Sequence, residues 1–202
     1  MKSNYMDINY KIIFHSEWHC GSGQSAGFGV DLTVIRDRHG LPFIPGKTLK
    51  GLFRDAAVNL KELDTRNKNG WHDFINAVFG TGGDEGGGCA TDCFFTNAAL
   101  ELPVDIYNQL AKNEELKRFL FRAISATAIN DKGVASEHSL RVTETVIPLT
   151  VEATIHKFPD SIANRVKIKQ CVQWIKRMGL HRNRGLGRCT LQIVELAGGE
   201  SA

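Results

Sequence analysis

Four stretches of this chain carry side chains able to act on a charged ligand. The first is PGKTLKGLFR (45–54). It has the flavour of a phosphate-binding GxxxxGK[ST] loop, but position 41, where the first glycine belongs, is Leu41. Pro42 and Pro45 also remove two backbone donors that a phosphate cradle uses. The motif therefore does not support an ATPase. What survives is a helix N-terminus with Gly46, Lys47 and Thr48, where unpaired amides and the helix dipole favour an anion. Lys50 and Arg54, one and two turns on, extend the charge along a line. A lone phosphate and a nucleic-acid backbone both suit this pattern, and so does a plain basic surface helix.

The second stretch is LHRNRGLGRC (180–189). Arg182, Arg184 and Arg188 can fork to phosphate oxygens, and Gly185 and Gly187 let backbone approach a ligand closely. A tight turn into a strand would use the same residues. The third is GFGVDLTVIRD (27–37), where Asp31 follows a glycine-containing loop and either presents a carboxylate to solvent or caps a turn. The fourth is SEHSLRVTETV (136–146): Arg141 and His138 can touch a polyanion or stay solvated, and Glu144 can neutralise a nearby arginine.

Charge distribution supports a localised polyanion site. The formal net charge is only +3, yet between Lys157 and Arg188 nine Lys/Arg face a single acid, Asp160. A solvated basic helix face is the competing explanation. Five cysteines, Cys20, Cys89, Cys93, Cys171 and Cys189, form an odd set that argues against a disulfide framework. Cys89 and Cys93 make a lone CxxxC, and a structural zinc would need two further ligands from Cys20, His19 or His72, so ordinary thiols are expected. No run of about 18 apolar residues exists, so no membrane-spanning helix is expected. The N-terminal MKSNYMDINYK has no apolar signal core, which gives a cytoplasmic expectation.

The elements that must position these residues follow from periodicity. With 202 residues, 42% of them hydrophobic, the chain suits one domain with a true core and room for an insertion. Residues 9–19 alternate, with Tyr10, Ile12, Phe14 and Trp18 on one side and Lys11, His15, Glu17 and His19 on the other, the period of a half-buried strand. The segment 30–46 reads as a hairpin turning at Arg38-His39-Gly40. Leu49, Leu52, Phe53, Ala56, Ala57 and Leu60 form the apolar stripe of a first helix, and Trp71–Phe79 is a shorter one. GTGGDEGGG (80–88) reads as a flexible loop and CFFTNAALEL (93–102) as a strand. Val104–Ala126 is expected to be helical with a break near Asn113, and about 128–146 to be an inserted loop or hairpin. Alternation at 149–156 and 189–193 gives two more strands around a helix over roughly 161–178. Helices on one face of an antiparallel sheet make this an α+β, ferredoxin-like (RRM-like) single domain over 1–202.

Taken in order, these segments resemble the RAMP superfamily of CRISPR-associated proteins, and in particular the repeated backbone subunit of type III effector complexes. WHCGSG looks like that family's His-x-Gly-Gly segment, and GVDLTVIRDRHGLPFIPGKTLKGLFRDAA its Gly-x-Asp stretch followed by its Ile-Pro-Gly-Ser-Ser-Leu-Lys-Gly signature, with Lys47 where Ser is usual. FG at 79–80 with CFFTNAAL, SLRVTETVIPLTVEATI and RNRGLGRCTLQI are similar to its later strands, its thumb and its C-terminal glycine-rich loop. The resemblance implies a filament of copies along a guide (CRISPR) RNA, with other effector subunits, each thumb displacing a nucleotide of the guide–target duplex. RNA contacts would fall on His19, Lys47, Thr48, Lys50, Arg54, Arg141, Arg182, Arg184, Gly185, Gly187 and Arg188. Asp31 matches the residue that the family needs for metal-dependent cleavage of target RNA, with a divalent cation such as Mg²⁺ at Asp31. A carboxylate there either holds the cation or orients a 2′-hydroxyl toward the adjacent phosphate. A non-catalytic guide-binding scaffold, and a stand-alone guide-processing ribonuclease using His15 or His19, are the alternatives. A plain RRM-type binder is discounted, since Tyr10 and Phe14 alternate as core residues do. The expectation common to the RNA-binding readings is that charge from the first helix and from the final arginine turn converges on one groove.

Overall fold

Alternation along the first strand builds the centre of the sheet. In β1 (Tyr5–Phe14), Ile8, Tyr10, Ile12 and Phe14 are buried, while the residues between them face the opposite side. The computed structural model describes residues 5–23, 29–81 and 90–194. β1 pairs antiparallel with both β6 (Thr150–Pro159) and β7 (Cys189–Val194). β6 in turn carries the short β2 (Phe94–Phe95) and β3 (Ala99–Leu100) on its other edge. The order β2-β6-β1-β7 is the interleaved β-α-β-β-α-β arrangement of a ferredoxin-like sheet.

Three helices, α1 (Gly46–Leu63), α2 (Lys68–Phe79) and a later one, α5 (Ile162–Trp174), pack on one another and on one face of this sheet. The expected stripe of α1 delivers Leu49 and Phe53, both fully buried, into the core, and the Phe53 ring meets Tyr10 edge-on at 5.4 Å. Each such side chain contributes about 1.5–3 kcal/mol by leaving water. The other sheet face is polar, where Lys11 pairs with Glu101 and Thr154 Oγ1 meets Asn9 Oδ1 at 2.8 Å. Tyr10 and Phe14 lie in the core, as their alternation requires. No helix among the described residues is long and apolar enough to cross a membrane.

Helix α3 (Val104–Lys112) ends where α4 (Glu114–Arg118) begins, and the break falls at Asn113, whose side-chain oxygen accepts from the amides of Glu115 and Leu116. The expected helix does not continue to Ala126. Phe121–Ala126 is instead a strand, β4, paired with β5 (Arg141–Val146) as a separate two-stranded hairpin. Residue-by-residue helix propensity lost to a partner some twenty residues downstream, a pairing that local periodicity does not report. The insertion thus starts at Phe121 rather than near 128. The single strand expected over 93–102 is split at Thr96–Asn97. Positions 82–89, most of the glycine-rich loop together with Cys89, lie outside the described residues.

Candidate nucleic-acid interface

Helix α1 begins under tight backbone constraint. A Cβ on Gly46 would lie 2.0 Å from the Phe95 carbonyl oxygen, so only glycine fits there. The Gly46 amide donates to Asn97 Oδ1 at 2.9 Å, and the Thr48 amide to the Pro45 carbonyl at 2.9 Å. Two of the amides expected to greet an anion are therefore already engaged by the protein. Any anion at this helix end is held chiefly by side chains.

Those side chains meet others from distant segments. A cavity of ≈ 360 Å³ is lined by Lys47, Thr48 and Asp55 of α1, by His19 from the segment after β1, and by Arg182 from the C-terminal turn. Trp18, Leu49 and Met178 supply apolar floor. Lys47, Thr48 and Arg182 are exposed, whereas His19 is 2% exposed. The strand alternation put His19 on the solvent side. It is buried because the chain leaves the sheet after Phe14 and runs toward β5, where the amides and carbonyls of Trp18 and Val146 bond reciprocally at 3.0 and 2.8 Å. The imidazole Nδ1 then meets the carbonyl oxygen of Glu144 at 2.6 Å. The carbonyl of His19 accepts from the Leu180 amide at 3.0 Å, which fastens the arginine turn to the same point.

The helix N-terminus and the arginine turn thus converge, but through Lys47, Thr48 and Arg182. Lys50 and Arg54 do not line the cavity. They continue the stripe of Lys47 along α1, at i+3 and i+7, beside the cavity, and the Lys50 charge acts on the thiol of Cys93. Arg184 sits exposed in a 3-10 turn (Arg182–Arg184). Arg188 is exposed at the start of β7, its amide donating to Ser16 Oγ at 2.9 Å. Gly185 faces open space, consistent with ligand approach. Gly187 does not: a Cβ there would lie 1.8 Å from the Met178 carbonyl oxygen, so its missing side chain is required by the protein's own packing.

Asp31 stands apart from that cavity, against the base of the hairpin. Its amide donates to the Val142 carbonyl at 2.9 Å, and its Oδ2 accepts from the Val142 amide at 2.7 Å. Arg141 is the exposed neighbour of Val142, so Asp31 and Arg141 share one edge. Among the described residues, no three His, Cys, Asp or Glu side chains gather closely enough to hold a metal ion. Asp31 is exposed, and its carboxylate offers hard oxygen that fits magnesium, which takes one or two carboxylates and completes its shell from water and substrate phosphates. Cys93 is a buried free thiol, pushed up to about 11 by burial.

Several residues that shape the interface had no motif to announce them. Asp55 follows Lys47 and Gly51 at i+8 and i+4, so the helical period itself carries that signal. Glu17 ties the hairpin from below, with Oε2 accepting from Thr145 Oγ1 at 2.7 Å and Oε1 pairing with Arg122 at 3.2 Å. Glu144 does neutralise an arginine, Arg36.

A family model described as the RAMP superfamily matches residues 11–190. No curated protein matches the chain in sequence. In fold it is similar to a chain of the type III-B Cmr-beta cryo-EM structure in the apo state, with TM-score 0.65, 17% identity, and coverage of 95% of this chain and 98% of that one. The same complex bound to cognate target RNA gives TM-score 0.66 at 16% identity over 95% and 98% of the two chains. A chain of a type IV-B CRISPR complex gives 0.66 at 14% identity over 98% and 94%. At such identities the shared property is the fold.

Proposed function

The chain belongs to the RAMP superfamily, and on that premise we propose that it is a guide-RNA-binding backbone subunit of a type III CRISPR interference complex which cuts complementary target RNA through Asp31. The observation that carries this reading is the meeting of His19, Lys47, Thr48 and Arg182 in one cavity. These residues come from three segments far apart in sequence, and each belongs to a stretch resembling the family. Cations beside a helix N-terminus hold ribose-phosphate without reading bases, which suits a protein that leaves sequence recognition to base pairing. The partners in this reading are the guide, the complementary target, further copies of the chain and other effector subunits.

Cleavage in this proposal belongs to the other edge, at Asp31 and Arg141. The 2′-oxygen of the target bonds to the adjacent phosphorus, its proton passes to a base, and the P–O5′ bond breaks as the 5′-oxygen takes up a proton. The ends are a 2′,3′-cyclic phosphate and a 5′-hydroxyl. Asp31 Oδ1 orients or accepts the 2′-proton, and the Val142 amide on Oδ2 holds the carboxylate in place. Arg141 is placed to steady the phosphate. A divalent cation, with Asp31 as its protein ligand, would supply charge neutralisation at the phosphate.

One observation favours a second reading, a guide-binding scaffold without cleavage: the Asp31–Val142 bond is what a purely structural carboxylate would make. The test is to assemble the complex with a guide, add labelled complementary RNA and Mg²⁺, and compare wild type with Asp31→Ala and Asp31→Asn. Evenly spaced cuts, lost in both variants, are expected. Asp31→Asn keeps an acceptor for the Val142 amide, so loss of cutting there comes from loss of charge. Equal cutting by all three would refute the role of Asp31, and no cutting by any of them would leave the scaffold reading.

A further inference from the structure

We infer that His19 makes this interface selective for ribose, its Nε2 accepting a hydrogen bond from a 2′-hydroxyl of the strand whose phosphate sits at Lys47, Thr48 and Arg182. The inference rests on the RNA reading of the cavity given above.

The proton inventory of the ring leads there. Nδ1 lies 2.6 Å from the Glu144 carbonyl oxygen. A carbonyl only accepts, so Nδ1 carries the hydrogen. In the neutral imidazole Nε2 then bears a lone pair and no proton. No described residue supplies Nε2 with a donor, although the side chain is 2% exposed and lines the cavity. Among the described residues the buried side-chain polar atoms without a partner are the Tyr10 hydroxyl and Trp18 Nε1, so Nε2, which is not one of them, keeps access to a donor that arrives from outside.

Access to that nitrogen is left open by Gly21. A Cβ at Gly21 would come within 3.1 Å of Nε2, and nothing nearer than the ring atoms crowds the glycine. Any side chain there would cover the acceptor. The strand itself limits which donor can come. Phosphate oxygens accept and do not donate. Lys47 and Arg182 hold them at one end, and Asp55, two turns along α1, repels them at the other. The remaining donors on a nucleic-acid strand are base N–H groups, present in RNA and DNA alike, and the 2′-hydroxyl, present only in RNA. The 2′-hydroxyl sits on the sugar next to the phosphate, and so is the donor assigned here.

Two variants separate the acceptor from the scaffold around it. Asn can place an amide N–H where Nδ1 was, so His19→Asn keeps a donor for Glu144 and removes Nε2. Gly21→Ala covers Nε2 without touching the Nδ1 bond. Binding of the full chain to a mixed-sequence single-stranded RNA is measured by fluorescence anisotropy at one salt concentration, beside its 2′-deoxy and 2′-fluoro counterparts, with melting curves to verify folding. Wild type should prefer RNA to both counterparts by about fivefold or more, the worth of one neutral hydrogen bond. Either variant should lower RNA affinity to that of the 2′-fluoro strand and leave the 2′-fluoro affinity within about twofold. A wild type that does not distinguish RNA from the 2′-fluoro strand overturns the inference, because any remaining RNA-over-DNA preference then comes from sugar pucker. So does a preference retained in both variants, or in folded Gly21→Ala alone should His19→Asn not fold. Lys47→Ala with Arg182→Ala in the same assay tests the underlying reading separately: unchanged RNA affinity there removes the phosphate site itself, whatever the ribose result.

Discussion

Arg36 places its guanidinium 2.6 Å from Oε1 of Glu144 and 3.8 Å above the ring of Phe121. One side chain from the segment before α1 thus grips both strands of the hairpin. The second oxygen of Glu144 accepts from the Val34 amide at 2.9 Å, so the carboxylate is saturated on the body side. Arg36 is partly exposed, which screens the pair and limits its worth. Arg36→Ala is expected to cost about 1–2 kcal/mol through lost pairing and ring stacking. The loss should be local. Hydrogen exchange should quicken across β4 and β5 while amides of β1 and β6 keep their protection, and uniform acceleration would show that the hairpin is not a separately held unit.

The hydroxyl of Tyr10 is buried and has no hydrogen-bond partner among the described residues. Burial also drives its proton affinity well above the ordinary phenol range. Removing the oxygen leaves the ring against Phe53. Tyr10→Phe should therefore stabilise by about 1 kcal/mol. In a domain of this size that raises Tm by about 2–4 °C. A lowered melting temperature would mean that the hydroxyl has a partner in solution.

Much of this arrangement was legible in the sequence, and what was not has physical reasons. The alternation of Ile8, Tyr10, Ile12 and Phe14 and the stripe of Leu49 and Phe53 report burial directly, so sheet and helix came through. Lys47, Thr48 and Arg182 were nameable because charge beside glycine and a helix start is a local pattern. Phe121–Ala126 was not, since its strand character depends on residues 141–146 and nearly all its side chains are exposed. Lys50 and Arg54 do continue the stripe of Lys47, at i+3 and i+7, but the cavity opens on the neighbouring face of α1, lined by Thr48, Gly51, Leu52 and Asp55. In sequence Gly187 looks as open to ligand as Gly185, and only the fold brings Met178 against it.

The two glycines of the arginine turn should accordingly respond differently. Both have positive φ, +95° at Gly185 and +67° at Gly187. Gly185→Ala meets nothing within 4 Å and pays only the left-handed backbone term, about 1–2 kcal/mol. Gly187→Ala adds a clash with the Met178 carbonyl, and should cost about 3 kcal/mol or more. Urea unfolding of both variants checks the order, which equal losses would contradict.

The thiols of Cys171 and Cys189 are pushed up to about 12 by burial. At mildly alkaline pH the thiolate fraction is then negligible in the folded chain. Pulsed alkylation read by mass spectrometry should leave both unmodified until denaturant unfolds the chain. Any slow labelling of the native protein should rise about tenfold per pH unit throughout the alkaline range, because the thiolate population does so below its pKa. Rapid labelling at neutral pH would place these residues outside the core.

Strand length should separate the two basic groups on α1. Lys47 and Arg182 face one cavity, room for a nucleotide or so, whereas Lys50 and Arg54 continue along α1 outside its lining, where a strand running onward reaches them. Each phosphate contact on a single strand contributes about 0.7 to the slope of log affinity against log salt. Lys47→Ala with Arg182→Ala should thus lower the slope by about 1.4 for short and long single-stranded RNA alike. Lys50→Glu with Arg54→Glu should weaken binding and flatten the slope for long strands while leaving a trinucleotide unaffected. If the Lys50 and Arg54 changes left the long-strand slope as it was, the track would end at the helix N-terminus, and a strand leaving the cavity would have to turn toward Arg184 instead.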